Sequence, residues 1–410
     1  MKERITTYLA TCVVGSLVFV AAAAAQTQPP PSQTPGQPTF VPTIVVSNSI
    51  YVAGGGPFTF AHPAFERVWD RTDDPVKLAQ VKRTFFWGPG PNTPGLSEQY
   101  NEDPRGTRQR LVQYFDKSRM ELNNPGGNQN DPFFVTNGLL TVELISGFIQ
   151  VGEKDFVKFR PACLPMSGDL GDRLAPTYFG FQKVSNTQAG NHPAQNRVGQ
   201  RVIETIDRNG TTGTDPSKNS VPGTDLVQFV NETKHNIPRV FWDFLNSSGP
   251  THADGHQVVN QQLIQPWFFA SGLPISEPYW AKATIRGQVT DVMIQAYERR
   301  ALTYVPANDQ AFQVEMANIG QHYFDWRYRN AGLCPGDLPS QPTPPVPIGT
   351  GTVATVSPTA VRTVTATATV CANCPTATPT RTIAIPPGTV VQATITTPTA
   401  TRTTTPRPSP

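Results

Sequence analysis

A short pattern between Trp69 and Lys117 returns in the same order between Trp242 and Arg299, and no other feature constrains the fold as much. Trp69-Asp70 returns as Trp242-Asp243, and Leu96-Ser97-Glu98-Gln99-Tyr100 as Ile275-Ser276-Glu277-Pro278-Tyr279. Arg105-Gly106 returns as Arg286-Gly287. Val112-Gln113-Tyr114-Phe115-Asp116-Lys117 returns as Ile294-Gln295-Ala296-Tyr297-Glu298-Arg299. Trp87 precedes Gln113 by nearly the spacing of Trp267 to Gln295. Ordered matches with small drift in offset imply duplication. The expectation is two copies of one unit, in residues 58–147 and 238–333, with a middle strand-and-loop segment in 148–237.

Each unit has a readable plan. Glu66 to Asp70 and Arg239 to Leu245 read as helical openings that carry aromatic residues. Gln109 to Leu122 alternates, with Leu111, Gln113 and Phe115 on one face and Val112, Tyr114 and Asp116 on the other, which is strand periodicity. Asn123 to Gly127 is turn chemistry. Asn137–Ser146 and Phe312–Tyr328 read as short helices, and Phe148–Phe159 as a strand. The fold class expected is α+β: a strand hairpin plus short helices, used twice.

The ends have a different composition. Lys2 and Arg4, the apolar run Val13 to Val20 and the alanines before Gln26 have the order of a secretory signal, so residues 1–25 are expected to be removed on export. The run is shorter than the ~18 apolar residues of a membrane span. Residues 26–57 read as a Gln/Pro/Thr-rich linker. From Leu338 onward there is no Asp, Glu, Lys or His, and Pro358-Thr-Ala-Val-Arg362 shares a frame with Pro398-Thr-Ala-Thr-Arg402. Residues 334–410 therefore read as a disordered Thr/Pro-rich stalk, too poor in aromatic residues and too rich in proline to build a core. Past the leader four cysteines remain, Cys163, Cys334, Cys371 and Cys374. Export makes disulfides the expectation for them, without fixing the pairing.

A formal net charge of +3 argues against a nucleic-acid partner. Glu98 and Glu277 follow serine at matching positions, and one from each copy facing a groove could do acid–base work on a glycosidic bond, which needs carboxyls about 5–9.5 Å apart. A secreted polysaccharide hydrolase is thus the alternative function; the plainer reading of these glutamates is capping or ion pairing. Asp116/Lys117 and Glu298/Arg299 read as solvated strand-edge pairs. His252-Ala-Asp254-Gly-His256 sits in a loop and lacks further ligands, so no metal is expected, and no cofactor fingerprint is present.

Aromatic residues are the strongest sign of binding. Phe85-Phe86-Trp87, Trp267-Phe268-Phe269, Tyr279-Trp280 and the run from Tyr323 to Tyr328 exceed what one small core needs. Trp87, Trp267, Tyr279 and Trp280, with Glu98 and Glu277, are the candidate ligand residues. Leu273-Pro274-Ile275-Ser276-Glu277, followed by Gln295-Ala296-Tyr297, by Thr303-Tyr304-Val305-Pro306 and then by a helix with Trp326, resembles the LGFP-type cell-wall repeat. The first copy of that pattern is Leu96-Ser97-Glu98 with Gln113-Tyr114-Phe115. The first copy has Pro94-Gly95 in place of the Gly-x-Pro step. The body and its tail are also similar to uncharacterised exported bacterial proteins that carry Trp-x-Arg-Thr-Asp, here Trp69 to Asp73. The resemblance implies a non-catalytic envelope-associated binding or structural protein, with a cell-envelope glycan or a surface protein as partner.

Overall fold

Side chains that alternate across two hairpins set the architecture. The computed structural model describes residues 50–335, apart from Leu170, Asp254 and Gly255, together with Val346 and Pro347. The expected leader, most of the N-terminal linker, Cys371, Cys374 and nearly all of the Thr/Pro-rich segment lie outside the described residues. The architecture is mixed α+β, with several sheets and few helices.

The first half opens with α1 (Pro63–Thr72) and α2 (Asp74–Lys77). Proline in its first turn and the His62 ring, which accepts from Ala64 N at 3.1 Å, start α1. Then come β1 (Leu96–Gln99), β2 (Gln109–Phe115), β3 (Ser118–Leu122) and β4 (Thr136–Asn137), an antiparallel meander that leads into α3 (Leu140–Ser146). The middle of the chain supplies β5 (Phe148–Gln150), β6 (Phe156–Lys158), α4 (Tyr178–Phe181), β7 (Glu204–Ile206), β8 (Thr212–Thr214), β9 (Leu226–Val230) and β10 (His235–Pro238). Next are α5 (Arg239–Leu245), β11 (Ser248–Ala253) and β12 (His256–Gln262). A second meander follows: β13 (Tyr279–Ile285), β14 (Gln288–Ala296), β15 (Ala301–Tyr304) and β16 (Val314–Met316), leading into α6 (Ile319–Arg329). Its sheet runs β16-β15-β14-β13-β7-β8, with β7 parallel to β13. β17 (Val346–Pro347) lies antiparallel on the outer edge of β1.

Two cores result. Val112, Tyr114, Val292 and Ile294 pack with α3 and α6 in one; Phe115, Met120, Met293 and Leu302 pack with α1 and α5 in the other. Each core draws on both halves of the chain, so neither half has a core of its own. The period-2 alternation of β2 is as expected, but it belongs to two strands, because the chain reverses at Asp116-Lys117. The reading of Phe312–Tyr328 as one helix is corrected: a 3₁₀ turn and β16 precede α6, and Asn137 belongs to β4, ahead of α3. Phe148–Phe159 is likewise two strands. The linker assigned to 26–57 is too long at its end, because Tyr51 is buried and stacks on Phe324 with ring centroids 4.3 Å apart.

The halves grip each other by crossed hydrogen bonds. Gln321 N, in the first turn of α6, donates to Asp116 O on the β2–β3 turn at 3.2 Å; Val142 N, in α3, donates to Glu298 O on the β14–β15 turn at 3.3 Å. Lys117 Nζ donates to Met316 O, and Arg299 Nε to Asn137 O at 3.0 Å. The pairs Asp116/Lys117 and Glu298/Arg299 are therefore clasps on the opposite half and not solvated strand edges. Gly320 permits the close approach of α6, since a Cβ there would lie 2.0 Å from Phe115 O.

A disulfide joins Cys163 to Cys334 across 171 residues of chain, with Cα atoms 4.9 Å apart. Closing so long a loop restricts the unfolded chain, so Cys334→Ser is expected to cost about 2–5 kcal/mol. Urea unfolding of the oxidised protein and the variant checks this; equal midpoints would contradict it.

Candidate functional site

Four of the six side chains singled out as ligand residues are interior. Trp87 and Trp280 are each 1% exposed. The Trp87 indole donates to Thr72 Oγ1 at 3.0 Å and has the Arg300 guanidinium 5.3 Å over its ring. The Trp280 indole donates to Val202 O at 2.9 Å. Large rings with satisfied N–H groups are core material. Tyr279 is half-buried, edge-on to Phe181. Trp267 alone of the tryptophans named as ligand residues is partly exposed.

Glu98 and Glu277 are also corrected. They are 2% and 7% exposed and belong to different networks. Nor do they match in register: Leu96 lies opposite Val112, while Tyr279, not Ile275, lies opposite Ile294. The Glu98 carboxylate accepts from Tyr114 Oη and Tyr328 Oη at 2.6 Å and from Arg327 Nη1 at 2.8 Å, with Arg119 at 3.3 Å. Arg119 and Arg110 also reach Glu121, and Arg119 reaches Glu143. Burial alone would raise the Glu98 carboxyl; Arg119, Arg327 and Arg110 outweigh it and hold the group well below the usual carboxylate range. Glu277 accepts from Arg197 at 2.8 Å and from Asn236 N at 2.8 Å, with His235 Nδ1 at 3.3 Å. Burial raises it, but His235, Arg197 and Asn236 win and lower it. Both glutamates are saturated with partners and hold strands together.

Partly exposed rings form a row elsewhere. Trp242 on α5 meets Trp267 at 5.3 Å, Trp267 meets Phe268 at 5.5 Å, and Phe268 stacks on Phe133 at 6.4 Å. Phe133 is 46% exposed. Beyond Trp242 the row is presented by two loops, the polar, turn-rich stretch between β3 and β4 and the largely apolar stretch after β12. Where the row ends, a cleft of about 190 Å³ is lined by Phe133, Phe268, Phe269, Asn137, Glu298 and Arg299. The Trp267-Phe268-Phe269 run was legible in sequence. Phe133 was missed, though a Pro132-Phe133-Phe134 step inside a loop of Asn, Gln, Gly and Asp is a signal of an exposed ring.

A wider cleft of about 750 Å³ lies at the other clasp, lined by residues that include Lys82, Thr84, Phe85, Lys117, Phe312 and Glu315. Its rings are half-buried and its charged groups are mixed in sign. Lys82 pairs with Asp309 at 2.7 Å and lies 6.0 Å over the Phe312 ring. Burial lowers the Lys117 ammonium, opposed by Glu315 and Asp116.

His252 is tied on both nitrogens, to Asp74 and to Gln80 at 2.8 Å each, as a packing histidine would be. Among the described residues no group of three or more His, Cys, Asp or Glu is placed to hold a metal, and no helix is long and apolar enough to cross a membrane. Comparison of the chain with family models, with curated proteins and with solved structures finds no match.

Glu98→Gln removes a buried charge from among three arginines, so a loss of about 3–5 kcal/mol at neutral pH is expected. A carboxyl lowered in the folded state stabilises above its unfolded value, about 4.3, and that contribution is lost as pH falls through the folded value. The gap between wild type and variant in urea unfolding should therefore narrow as pH drops below about 4.3. A gap that is constant from pH 7 to pH 3 would contradict the ion-pair account.

Proposed function

We propose that this chain is an exported, non-catalytic, envelope-associated protein that binds a glycan along the row Trp242–Trp267–Phe268–Phe133. That row is the observation carrying the reading. Its rings touch end to end, remain partly open to solvent, and finish beside Asn137, Glu298 and Arg299, which supply hydrogen-bond groups. A sugar chain has apolar ring faces and hydroxyl edges, and needs both kinds of surface. The leader-like start and the Thr/Pro-rich tail support export and display away from a surface. The resemblance to LGFP-type repeats points to the envelope.

We infer as well that the body is an internal duplication. Gln113 Nε2 donates to Thr93 O and Gln295 Nε2 to Ser276 O, each at 2.9 Å. Thr93 Oγ1 accepts from Tyr114 N at 3.2 Å, and Ser276 Oγ from Ala296 N at 3.1 Å. Gly138 N donates to Arg119 O, and Ala317 N to Ala301 O. Recurrence of such long-range bonds in the same order along the chain supports common descent of the halves better than short motifs do.

Co-sedimentation of the exported chain with insoluble cell-envelope polysaccharide tests the binding. Saturable binding is expected, with Trp267→Ala weakening it at least tenfold, or about 1.4 kcal/mol, and no soluble sugar released. Undiminished sedimentation of Trp267→Ala, or release of fragments, would count against it.

A further inference from the structure

The two clefts are built from the same positions of the two halves. Phe312 stands where Phe133 stands, Glu315 where Thr136 does, Thr84 where Phe268 does, and Phe85 where Phe269 does. Asp116 and Lys117 stand where Glu298 and Arg299 do. Hydrogen bonds fix this correspondence. Lys117 N donates to Trp87 O, and Arg299 N to Ser271 O, each at 2.9 Å; three residues back from those acceptors are Thr84 and Phe268. Gly88 and Gly272, each with positive φ, lie against Asp116 and Glu298 respectively. On the opposite wall Gly138 N and Ala317 N make the matching bonds to Arg119 O and Ala301 O, and five residues back from them are Phe133 and Phe312.

One ring is missing from the wide cleft. In the narrow cleft Phe268 lies on Phe133 with planes 15° apart and leaves about 190 Å³. In the wide cleft Thr84 takes the place of Phe268, no ring among the described residues lies on Phe312, and about 750 Å³ stands open. The narrow cleft is thus a template for what the wide one holds. We propose that the wide cleft binds a hexopyranose unit of a glycan chain, seated on Phe312 as Phe268 is seated on Phe133. This rests on the glycan-binding reading above and adds a second place for the chain to bind.

The class of ligand follows from the rim. Around Phe312 and Phe85 lie Gln80, Lys82, Thr84, Glu315 and Asn318. A partner's aromatic side chain would bury these polar groups without bonding them, whereas a pyranose has an apolar face for the ring and hydroxyls for the rim. Lys82 lies over Phe312 and must swing aside; its pair with Asp309 is exposed on both sides, and such pairs are weak.

Thr84→Phe restores the missing ring and tests the proposal, with Phe312→Ala and Trp267→Ala alongside. Soluble cellotetraose and chitotetraose are the probes, read by calorimetry and by saturation-transfer NMR on the full exported chain. Thr84 is buried, so the melting temperature of the variant reports whether the larger ring is accommodated; folded Thr84→Phe is expected to weaken binding at least tenfold. Phe312→Ala should weaken it at least fivefold. If Thr84→Phe does not fold, Phe312→Ala decides the matter. Binding lost in Trp267→Ala but intact in folded Thr84→Phe and in Phe312→Ala overturns the cleft and leaves the aromatic row standing. Loss in the cleft variants alone supports the cleft and removes the row. Wild-type protein that binds neither these sugars nor envelope polysaccharide overturns both.

Discussion

Two backbone amides at the starts of two helices hold this body together as one piece. Gln321 N on Asp116 O and Val142 N on Glu298 O set each helix on the hairpin turn of the opposite half. Each such bond is worth only about 0.5–1.5 kcal/mol net, but the bonds fix where the helices start. The cores inherit that placement: α3 and α6 share one cluster, and α1 and α5 share the other. Interlocking gives both halves a common interior.

Charge is handled by the same logic. Arg110, Arg119 and Arg327 lie in the interior, where desolvation is costly, and are matched there by Glu98, Glu121 and Glu143. The cluster ties β1, β2, β3, α3 and α6 to one another, so it reinforces the crossing of the helices. Tyr114 and Tyr328 fill the remaining acceptor sites on Glu98, and Tyr323 reaches Glu143. The clefts lie outside this network, beside the two hairpin turns, where the halves meet and packing leaves room.

The α+β class, the strand alternation of β2 and the position of α5 were legible because each depends on local periodicity. Gln113 and Gln295 each bond the backbone of a neighbouring loop, a role that local sequence does not display. Matching Glu98 to Glu277 misled, since a shared Ser-Glu step resembles homology while register depends on partners far along the chain. The buried arginines were invisible, because charged residues read as surface. Trp87 and Trp280 were misjudged because composition counts rings without saying how much core two interlocked halves must fill. The placement of Phe133 against Phe268 and of Thr84 near Phe312 depends on long-range contacts that sequence periodicity does not carry.

Amide hydrogen exchange on the full chain, with and without soluble fragments of cell-envelope polysaccharide, tests the account most directly. It predicts added protection in residues 239–245, 265–273 and 131–137 along the aromatic row, and in residues 79–85 and 310–318 around the wide cleft. Protection spread over the rest of the body, or absent from the row while sugar is bound, would contradict it.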